Sequence, residues 1–237
     1  MGENKVIAMI QKLQDTEQFK SLHWEGTFED YLNIVHQYPR VVRGAYERIY
    51  AMILSYGTEE YEDNKQKLIH YKFFDDPLNG GKDAVFGLDR PLMKMVNVFK
   101  SAARRYGTEK RVLLLHGPVG CAKSTIVRLL KRGLEVYSRS DEGALYTIAW
   151  SGPSDGGDGA QSRAGDSLVC PMHEEPLHLI SPEWRDKILT ELNAGRSSEE
   201  RVYFEGELCP CCRQMYRELI AKYNGDWTKV LNHIRVR

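Results

Sequence analysis

The chain has 237 residues, of which 42% are apolar, enough for one large domain or two small ones with real cores. Its 33 basic residues balance its 33 acidic residues, so no global field favours nucleic acid or an anionic membrane surface as a partner. No apolar run approaches the roughly 20 residues of a membrane span, and the N-terminus lacks an uninterrupted signal-peptide core. These features predict a globular, cytoplasmic protein with no nucleic-acid partner and no membrane partner.

The first part of the chain predicts a series of amphipathic helices. Apolar residues recur at helical spacing over 4–19. A second helix is predicted to begin near Thr27, because Asp30 stands at the third following position, as in a capping box. A third helix is predicted over 41–55 and ends before Gly57. We therefore expect a helical N-terminal region.

A turn-rich segment at 76–81 marks the predicted end of this helical region. We accordingly divide the sequence into a helical part at 1–80 and a nucleotide-binding domain at 81–237. The second part opens with a predicted helix over 90–105, whose apolar side chains share one face and which Gly107 ends.

The stretch 112–130 has the order strand, phosphate loop, helix. Residues 112–115 are an unbroken apolar run, typical of a strand that is buried on both faces of a parallel sheet. A helix pattern follows from Lys123, and the loop between them would point backbone N–H groups inward as an anion cradle. The predicted ATP-binding residues of this stretch are Gly117, Pro118, Val119, Gly120, Cys121, Ala122, Lys123 and Ser124.

Two residues of the loop carry the predicted chemistry. Lys123 would reach the β- and γ-phosphates and is the candidate catalytic residue, while the Ser124 hydroxyl would bind Mg²⁺. Ala122 departs from the phosphate-loop pattern, which has glycine there, and its methyl group would crowd the phosphates. Phe86 and Gly87 precede the loop strand and are candidate contacts of the adenine base. The alternative for the loop is an ordinary strand-turn-helix with an incidental lysine. The alternative for Phe86 and Gly87 is a simple turn that enters the next helix.

The segments after the loop helix complete the predicted sheet only in part. Residues 144–150 have strand composition and would add a parallel strand through a right-handed crossover. The glycine-rich segment 152–165 is predicted to be a mobile loop. A phosphate-loop ATPase also needs an acidic residue at the end of a further strand, and none follows Ser124. This predicts either a fragment or a protein that binds nucleotide without hydrolysing it.

Cysteine and histidine form two ligand pairs, C-x-x-H and C-x-x-C, in the last third of the chain. Two such turns, brought together, complete a tetrahedron of three thiolates and one imidazole, which predicts a structural zinc knuckle within 170–212. Spare donors at Cys211 and His178 leave the ligand set open, and reduced thiols packed in a core are the alternative. The predicted zinc ligands are Cys170, His173, Cys209 and Cys212. Helices are predicted over 180–192 and over 215–236, the latter interrupted at 224–226.

Five motifs together resemble the PrkA family, whose members are described as bacterial serine protein kinases built on an AAA-type ATPase domain. The resemblance runs from about residue 26 to the end and covers only the family's N-terminal part. It implies an α/β P-loop fold, a parallel sheet flanked by helices, that uses ATP and Mg²⁺ and is linked to stress and sporulation signalling. The motifs are FGLD (86–89), GPVGCAKS (117–124), CPMHEEPLHLI (170–180), LCPCCR (208–213) and NGDWTKV (224–230). The family's phosphate-binding residues map onto Gly117, Gly120, Lys123, Ser124 and Thr125.

Three functional hypotheses follow. The first is the ATP-binding AAA-type module of a PrkA-like serine protein kinase, which alone would be inactive as a kinase. The second is an AAA ATPase that remodels or degrades a protein substrate without phosphorylating it. The third is a non-catalytic, zinc-bearing interaction module whose loop has lost nucleotide, and Ala122 favours it. The first two imply an unidentified protein substrate and a ring homo-oligomer of the full-length form.

Overall fold

The computed structural model describes residues 23–151, 167–197 and 200–237. The predicted helix at 4–19 and the predicted mobile loop at 152–165 lie outside these described residues. The described helices are α1 (Phe28–Gln37), α2 (Ala45–Ser55), α3 (Asp89–Ala103), α4 (Lys123–Tyr137), α5 (Pro182–Leu192), α6 (Pro210–Lys222) and α7 (Trp227–Leu231). The described strands are β1 (Thr58–Asp63), β2 (Gln66–Tyr71), β3 (Ile148–Ser151), β4 (Ser167–Val169) and β5 (Ile234–Val236). Short 3₁₀ turns lie at Pro39–Val42, Lys72–Asp75, Pro77–Asn79, Thr108–Lys110 and Pro176–Leu179.

The chain divides into two compact units. The first comprises the described parts of Met1–Tyr38, Tyr146–Ala194 and Glu205–Arg237, and the second comprises Pro39–Leu145 with Gly195–Phe204. The sequence predicted a domain boundary at residue 80, which lies inside the second unit. That domain division stays a prediction.

The first unit opens with α1, whose start confirms the predicted capping box. The Thr27 hydroxyl accepts a hydrogen bond from the Asp30 backbone N–H at 3.1 Å, and the Asp30 carboxylate accepts one from the Thr27 backbone N–H at 2.9 Å. Two of the N–H groups at the helix start are thereby satisfied. The inner face of α1 buries Phe28, Tyr31 and Val35, which anchors the helix in the core of this unit.

A three-stranded sheet in the order β4-β3-β5 forms the centre of the first unit. The three apolar residues of β3 at 148–150 are at most 1% exposed, as expected for a central strand covered on both faces. Both of its neighbours run antiparallel to it. The predicted strand is therefore present, but the predicted parallel pairing is wrong. Composition predicts a strand, whereas the direction of its neighbours depends on residues far away in the chain.

The end of the chain differs from the helix predicted over 215–236. Helices α6 and α7 are present, but Ile234–Val236 is strand β5, with Ile234 and Val236 fully buried on either side of a half-exposed Arg235. A three-residue alternation is too short to identify a strand from sequence alone. Pairing with β3 decides its conformation, because Trp150 and Ile148 provide the partner backbone.

The second unit contains the helices predicted near 41–55 and 90–105, observed as α2 and α3, together with α4. Their shared core includes Met52, Phe73 and Leu129. A Cβ placed on Gly133 of α4 would lie 2.6 Å from a Phe73 ring carbon and 2.7 Å from the Met52 sulfur. This glycine therefore permits the close approach that fixes α4 in the unit.

Strands β1 and β2 form an antiparallel hairpin in the second unit, within the stretch 1–80 that was predicted to be helical. Its two-residue turn, Asn64-Lys65, has φ values of 50° and 60°. Positive φ at both central residues is the geometry that matches the twist of a tight hairpin. The hydrophobic pattern failed to predict it because Thr58–Asp63 exposes nearly every side chain.

The apolar run at 112–115 is not a strand in the structure. Val112 is 95% exposed and Leu114 is 82% exposed, and all pairs among the described strands are antiparallel. The parallel sheet expected from the sequence is therefore not found in the described residues. A strand buried on both faces requires paired neighbours and covering helices, and none of the described strands pairs with this segment. None of the described helices is long and apolar enough to cross a membrane.

Candidate functional site

The candidate nucleotide site is the loop that enters α4. Gly120 and Ala122 both have positive φ, 86° and 55°, so the chain curls before the helix begins at Lys123. Ala122 is the residue that precedes the helix, and its methyl side chain offers no oxygen to the first N–H groups of α4. Those groups therefore remain available to an anion, which the positive end of the helix dipole also favours.

Ala122 stands where the phosphate-loop pattern has glycine. The backbone conformation at this position explains the pattern's preference for glycine. Ala122 adopts the left-handed conformation, which costs a residue with a Cβ about 1–2 kcal/mol. Its methyl group packs against the hydrophobic core of the second unit. The departure from glycine therefore places backbone strain at Ala122, and the predicted crowding of phosphates by its methyl group stays a prediction.

The Lys123 ammonium lies within the loop. Its Nζ donates hydrogen bonds to the backbone oxygens of Gly117 at 2.9 Å and Pro118 at 2.6 Å, and lies 3.2 Å from the Cys121 sulfur. The Cys121 thiol in turn donates to the Pro118 oxygen at 3.0 Å. Lysine carries three donors, and these three contacts hold the Lys123 ammonium against the backbone of the loop.

The remaining predicted nucleotide contacts lie on the surface. Ser124 is exposed in the first turn of α4, Thr125 beside it is half-buried, and Val119 at the tip of the loop is fully exposed. Phe86 is 81% exposed in the turn that enters α3, where Gly87 has φ 70°. The contact of Phe86 and Gly87 with adenine stays a prediction.

Ion pairs fix α4 to the segment that precedes α3. Arg132 binds the fully buried carboxylate of Asp76, which also accepts the backbone N–H of Asp83 at 2.8 Å. Arg128 binds Asp83 at 2.8 Å and holds the pKa of that carboxyl below its usual range. Carboxylates of the same unit thus bind both arginines, and these ion pairs fix the position of α4 relative to the segment 76–83.

The second candidate site is a cluster of cysteines in the first unit. The sulfur atoms of Cys170, Cys209 and Cys212 all lie within 4.8 Å of one another, and the three residues are buried. Cys209 precedes α6 and Cys212 lies in its first turn, so the helix start delivers two sulfurs together. All three are free thiols.

A backbone or side-chain N–H group points at each of the three sulfurs. The Glu174 N–H lies 3.5 Å from the Cys170 sulfur, and the Cys212 N–H lies 3.4 Å from the Cys209 sulfur. The Trp150 indole donates to the Cys212 sulfur at 3.2 Å. The sequence reading missed Trp150, although a tryptophan in a buried strand usually needs an acceptor for its N–H. Burial raises the pKa of the Cys212 thiol in the protein without a bound cation.

The structure thus brings together three of the four predicted zinc ligands. His173 is exposed, with φ 49°, and lies outside the cluster, although its N–H bonds to the Cys170 carbonyl oxygen at 3.1 Å. The spare donor Cys211 is half-buried and is also outside. The other spare donor, His178, uses Nε2 to contact the Glu205 carbonyl oxygen at 3.1 Å.

One half-buried acid of the first unit had no signal in the sequence. Glu175 accepts a hydrogen bond from the Tyr31 hydroxyl and another from the Leu177 N–H at 3.3 Å. Burial raises its pKa to about 7, although the two hydrogen bonds oppose that rise. Only the packed structure reveals this, because a glutamate in a polar stretch reads as exposed.

The sequence match that follows places this loop, its lysine and the helix after it in the class of AAA-type ATP-binding modules. The PrkA AAA domain family matches residues 26–235, and this chain belongs to that family. Membership implies an α/β P-loop NTPase fold and the use of ATP with Mg²⁺.

Two relatives are similar to this chain, and the first of them carries the PrkA name. The chain is 38% identical over 206 residues to the ATP-dependent protease PrkA of Bacillus subtilis (strain 168), covering 86% of this chain and 26% of that protein. It is 35% identical over 108 residues to an uncharacterized protein in the gldA 5′ region of Geobacillus stearothermophilus, covering 45% of this chain and 98% of that protein. The chain thus spans about a quarter of the length of the Bacillus relative. No solved structure gives a significant match.

Proposed function

We propose that this chain is the ATP-binding module of an AAA-type protein that uses ATP to act on protein substrates, by proteolysis rather than by phosphorylation. The observation that carries the proposal is the position of the Lys123 ammonium, 2.6 and 2.9 Å from two carbonyl oxygens of the loop. A cation held between loop carbonyls and the uncapped start of a helix is an anion site.

The chain's own groups would bind and orient the nucleotide. Lys123 exchanges its contacts with Gly117 and Pro118 for phosphate oxygens, and the first N–H groups of α4 bind the same anion. The Ser124 hydroxyl, which is exposed, would be a ligand of Mg²⁺. Bound ATP supplies the phosphoanhydride bond whose cleavage would drive work on a substrate. We assign this chain the binding step, since the sequence shows no acidic strand end for hydrolysis.

Proteolysis is favoured over phosphorylation by the name of the Bacillus relative, an ATP-dependent protease. The serine kinase activity implied by the family resemblance remains the second candidate. A ring homo-oligomer and an unidentified protein substrate are parts of the same proposal, as is a cytoplasmic location. Both activities require ATP at this loop, so binding is the first step to test.

The test is calorimetric titration of the purified chain with ATP and Mg²⁺. We expect saturable binding that Lys123→Ala weakens about 100-fold or more, because charge-assisted hydrogen bonds contribute about 1.5–3 kcal/mol each. Lys94→Ala, which removes an exposed lysine from α3, is the matched control and should bind as the wild type does. Equal ATP affinity in Lys123→Ala would contradict the proposal.

The choice between the two activities needs a protein that contains this module at full length. ATP-dependent degradation of casein without labelled phosphoserine would support proteolysis, and transfer of labelled phosphate to serine without degradation would support the kinase. A folded chain that binds no ATP would favour the zinc-bearing interaction module.

A further inference from the structure

We propose that Cys170, Cys209 and Cys212 bind one zinc ion, which acts as a structural cross-link inside the first unit. The inference goes beyond the nucleotide function and does not depend on it. Three separate observations support it: the spacing of the sulfurs, the N–H groups around them, and the segments that they join.

The spacing of the sulfurs fits a tetrahedral metal. Two Zn–S bonds of about 2.3 Å at the tetrahedral angle place their sulfurs about 3.8 Å apart. The sulfurs of Cys170 and Cys209 are 3.7 Å apart, and Cys212 joins them within 4.8 Å. A disulfide would require about 2.05 Å. The spacing is therefore that of ligands around a shared ion and not that of a covalent pair.

The polar groups around the sulfurs fit thiolates. Each sulfur faces one N–H group, from Glu174, from Cys212 or from the indole of Trp150. Thiols are weak acceptors, whereas thiolates accept N–H bonds well. The start of α6 adds the positive end of a helix dipole next to Cys209. Three buried thiolates so close together would repel strongly unless a cation lies between them.

The identity of the cation follows from the donors. Thiolates select soft or borderline metals, and zinc is the common one that needs no redox chemistry and prefers four-coordinate sites. All three cysteines are buried, so the site has the closed character of a structural zinc site rather than that of a catalytic one.

The proposed ion joins parts of the first unit that are distant in sequence. Cys170 follows β4, and its backbone N–H donates to the Ile148 carbonyl oxygen at 2.8 Å, while the other two ligands belong to the start of α6. The Trp150 indole then ties the ligand Cys212 to the central strand β3. Metal binding would therefore stabilise the junction of sheet and helix in this unit.

We assign the fourth position to His173, because it ends the turn that Cys170 begins, as the second ligand of a knuckle does. Its exposed ring must turn toward the sulfurs to bind. His178 is the competing donor, since its Nε2 contacts the Glu205 carbonyl oxygen while its buried Nδ1 has no hydrogen-bond partner.

The experiment measures metal content and cobalt spectra of the purified whole chain. We expect one zinc per chain by elemental analysis and, after exchange with Co²⁺, the intense visible bands of a tetrahedral thiolate site. Cys170→Ser should reduce the metal content from one equivalent to near zero. Cys211→Ser, next to a ligand but outside the cluster, is the matched control and should retain one equivalent.

A second measurement guards against a cysteine variant that fails to fold. In the wild-type chain, zinc should protect three of the five cysteines from alkylation, and a chelator should expose them reversibly. A folded wild-type chain that contains no zinc, binds no Co²⁺ and shows no metal-dependent protection would overturn the proposal. For the fourth ligand, His173→Ala should change the cobalt spectrum and His178→Ala should not; the reverse result would overturn that assignment.

Discussion

The cysteine cluster of the first unit lies beside a paired, buried sheet, whereas the phosphate loop of the second unit follows an apolar segment that is exposed. Ile148 of β3 is fully buried, and Leu114 before the loop is 82% exposed, although both were predicted to lie in strands of one parallel sheet. The difference shows that two similar apolar runs reach different structures according to the partners available to them. The cysteine cluster is assembled from side chains that the packing of one unit brings together. The conformation of a loop at the end of a strand depends instead on whether that strand has paired neighbours.

The largest expected effect tests this difference directly with a matched pair of substitutions. Ile148→Ala should lower the free energy of unfolding by about 2–5 kcal/mol, because it leaves a cavity in a fully buried strand. Leu114→Ala should change it by no more than about 0.5 kcal/mol, because its side chain is exposed. Urea unfolding of both variants provides the measurement. A cost for Leu114→Ala as large as that for Ile148→Ala would mean that 112–115 is a buried strand after all.

The second-largest expected effect is a dependence of stability on pH, which comes from the half-buried Glu175 of the first unit. The pKa of Glu175 rises from 4.5 to about 7 in the folded protein. The folded state thus holds a proton that the unfolded state releases, so this group's contribution to stability is complete below pH 4.5 and is lost as pH rises through about 7. Between pH 5.5 and pH 8 the loss amounts to about 2 kcal/mol.

Glu175→Gln should remove this part of the pH dependence, because glutamine does not titrate. The measurement is the free energy of unfolding at pH 5.5 and pH 8 in the wild type and in the variant. Glu183→Gln, which replaces an exposed carboxylate in the first turn of α5, is the control and should keep the wild-type slope. If the slopes of the wild type and Glu175→Gln are the same, Glu175 is not the group that links stability to pH.

The smallest expected effect tests the backbone strain at Ala122 in the second unit. Ala122→Gly should stabilise the chain by about 0.5–1 kcal/mol, because glycine adopts the left-handed conformation without strain. Ala51→Gly in the interior of α2 should have the opposite sign, costing about 1 kcal/mol. Thermal unfolding compares the two variants, and calorimetry should show that ATP affinity in Ala122→Gly is at least that of the wild type. Destabilisation by Ala122→Gly would show that packing of the methyl group outweighs the backbone strain.

Much of the helical structure was predictable because its signals are local. The capping box at Thr27, the periodic apolar face of α3 and the helix that begins at Lys123 all depend on residues within a few turns of one another. The C-x-x-H and C-x-x-C spacings likewise pointed to the cysteines that the structure clusters. The position of His173 outside the cluster was not predictable, since a ligand spacing says nothing about a side chain's final orientation.

By itself, the sequence determined the helices, the loop that holds Lys123 and the candidate ligand pairs, because each is encoded by neighbouring residues. Only the tertiary structure decided that β3 has antiparallel neighbours, that Trp150 donates to Cys212 and that the pKa of Glu175 is raised. These features join residues that are far apart in the chain, and their energies come from burial and pairing that no local pattern records.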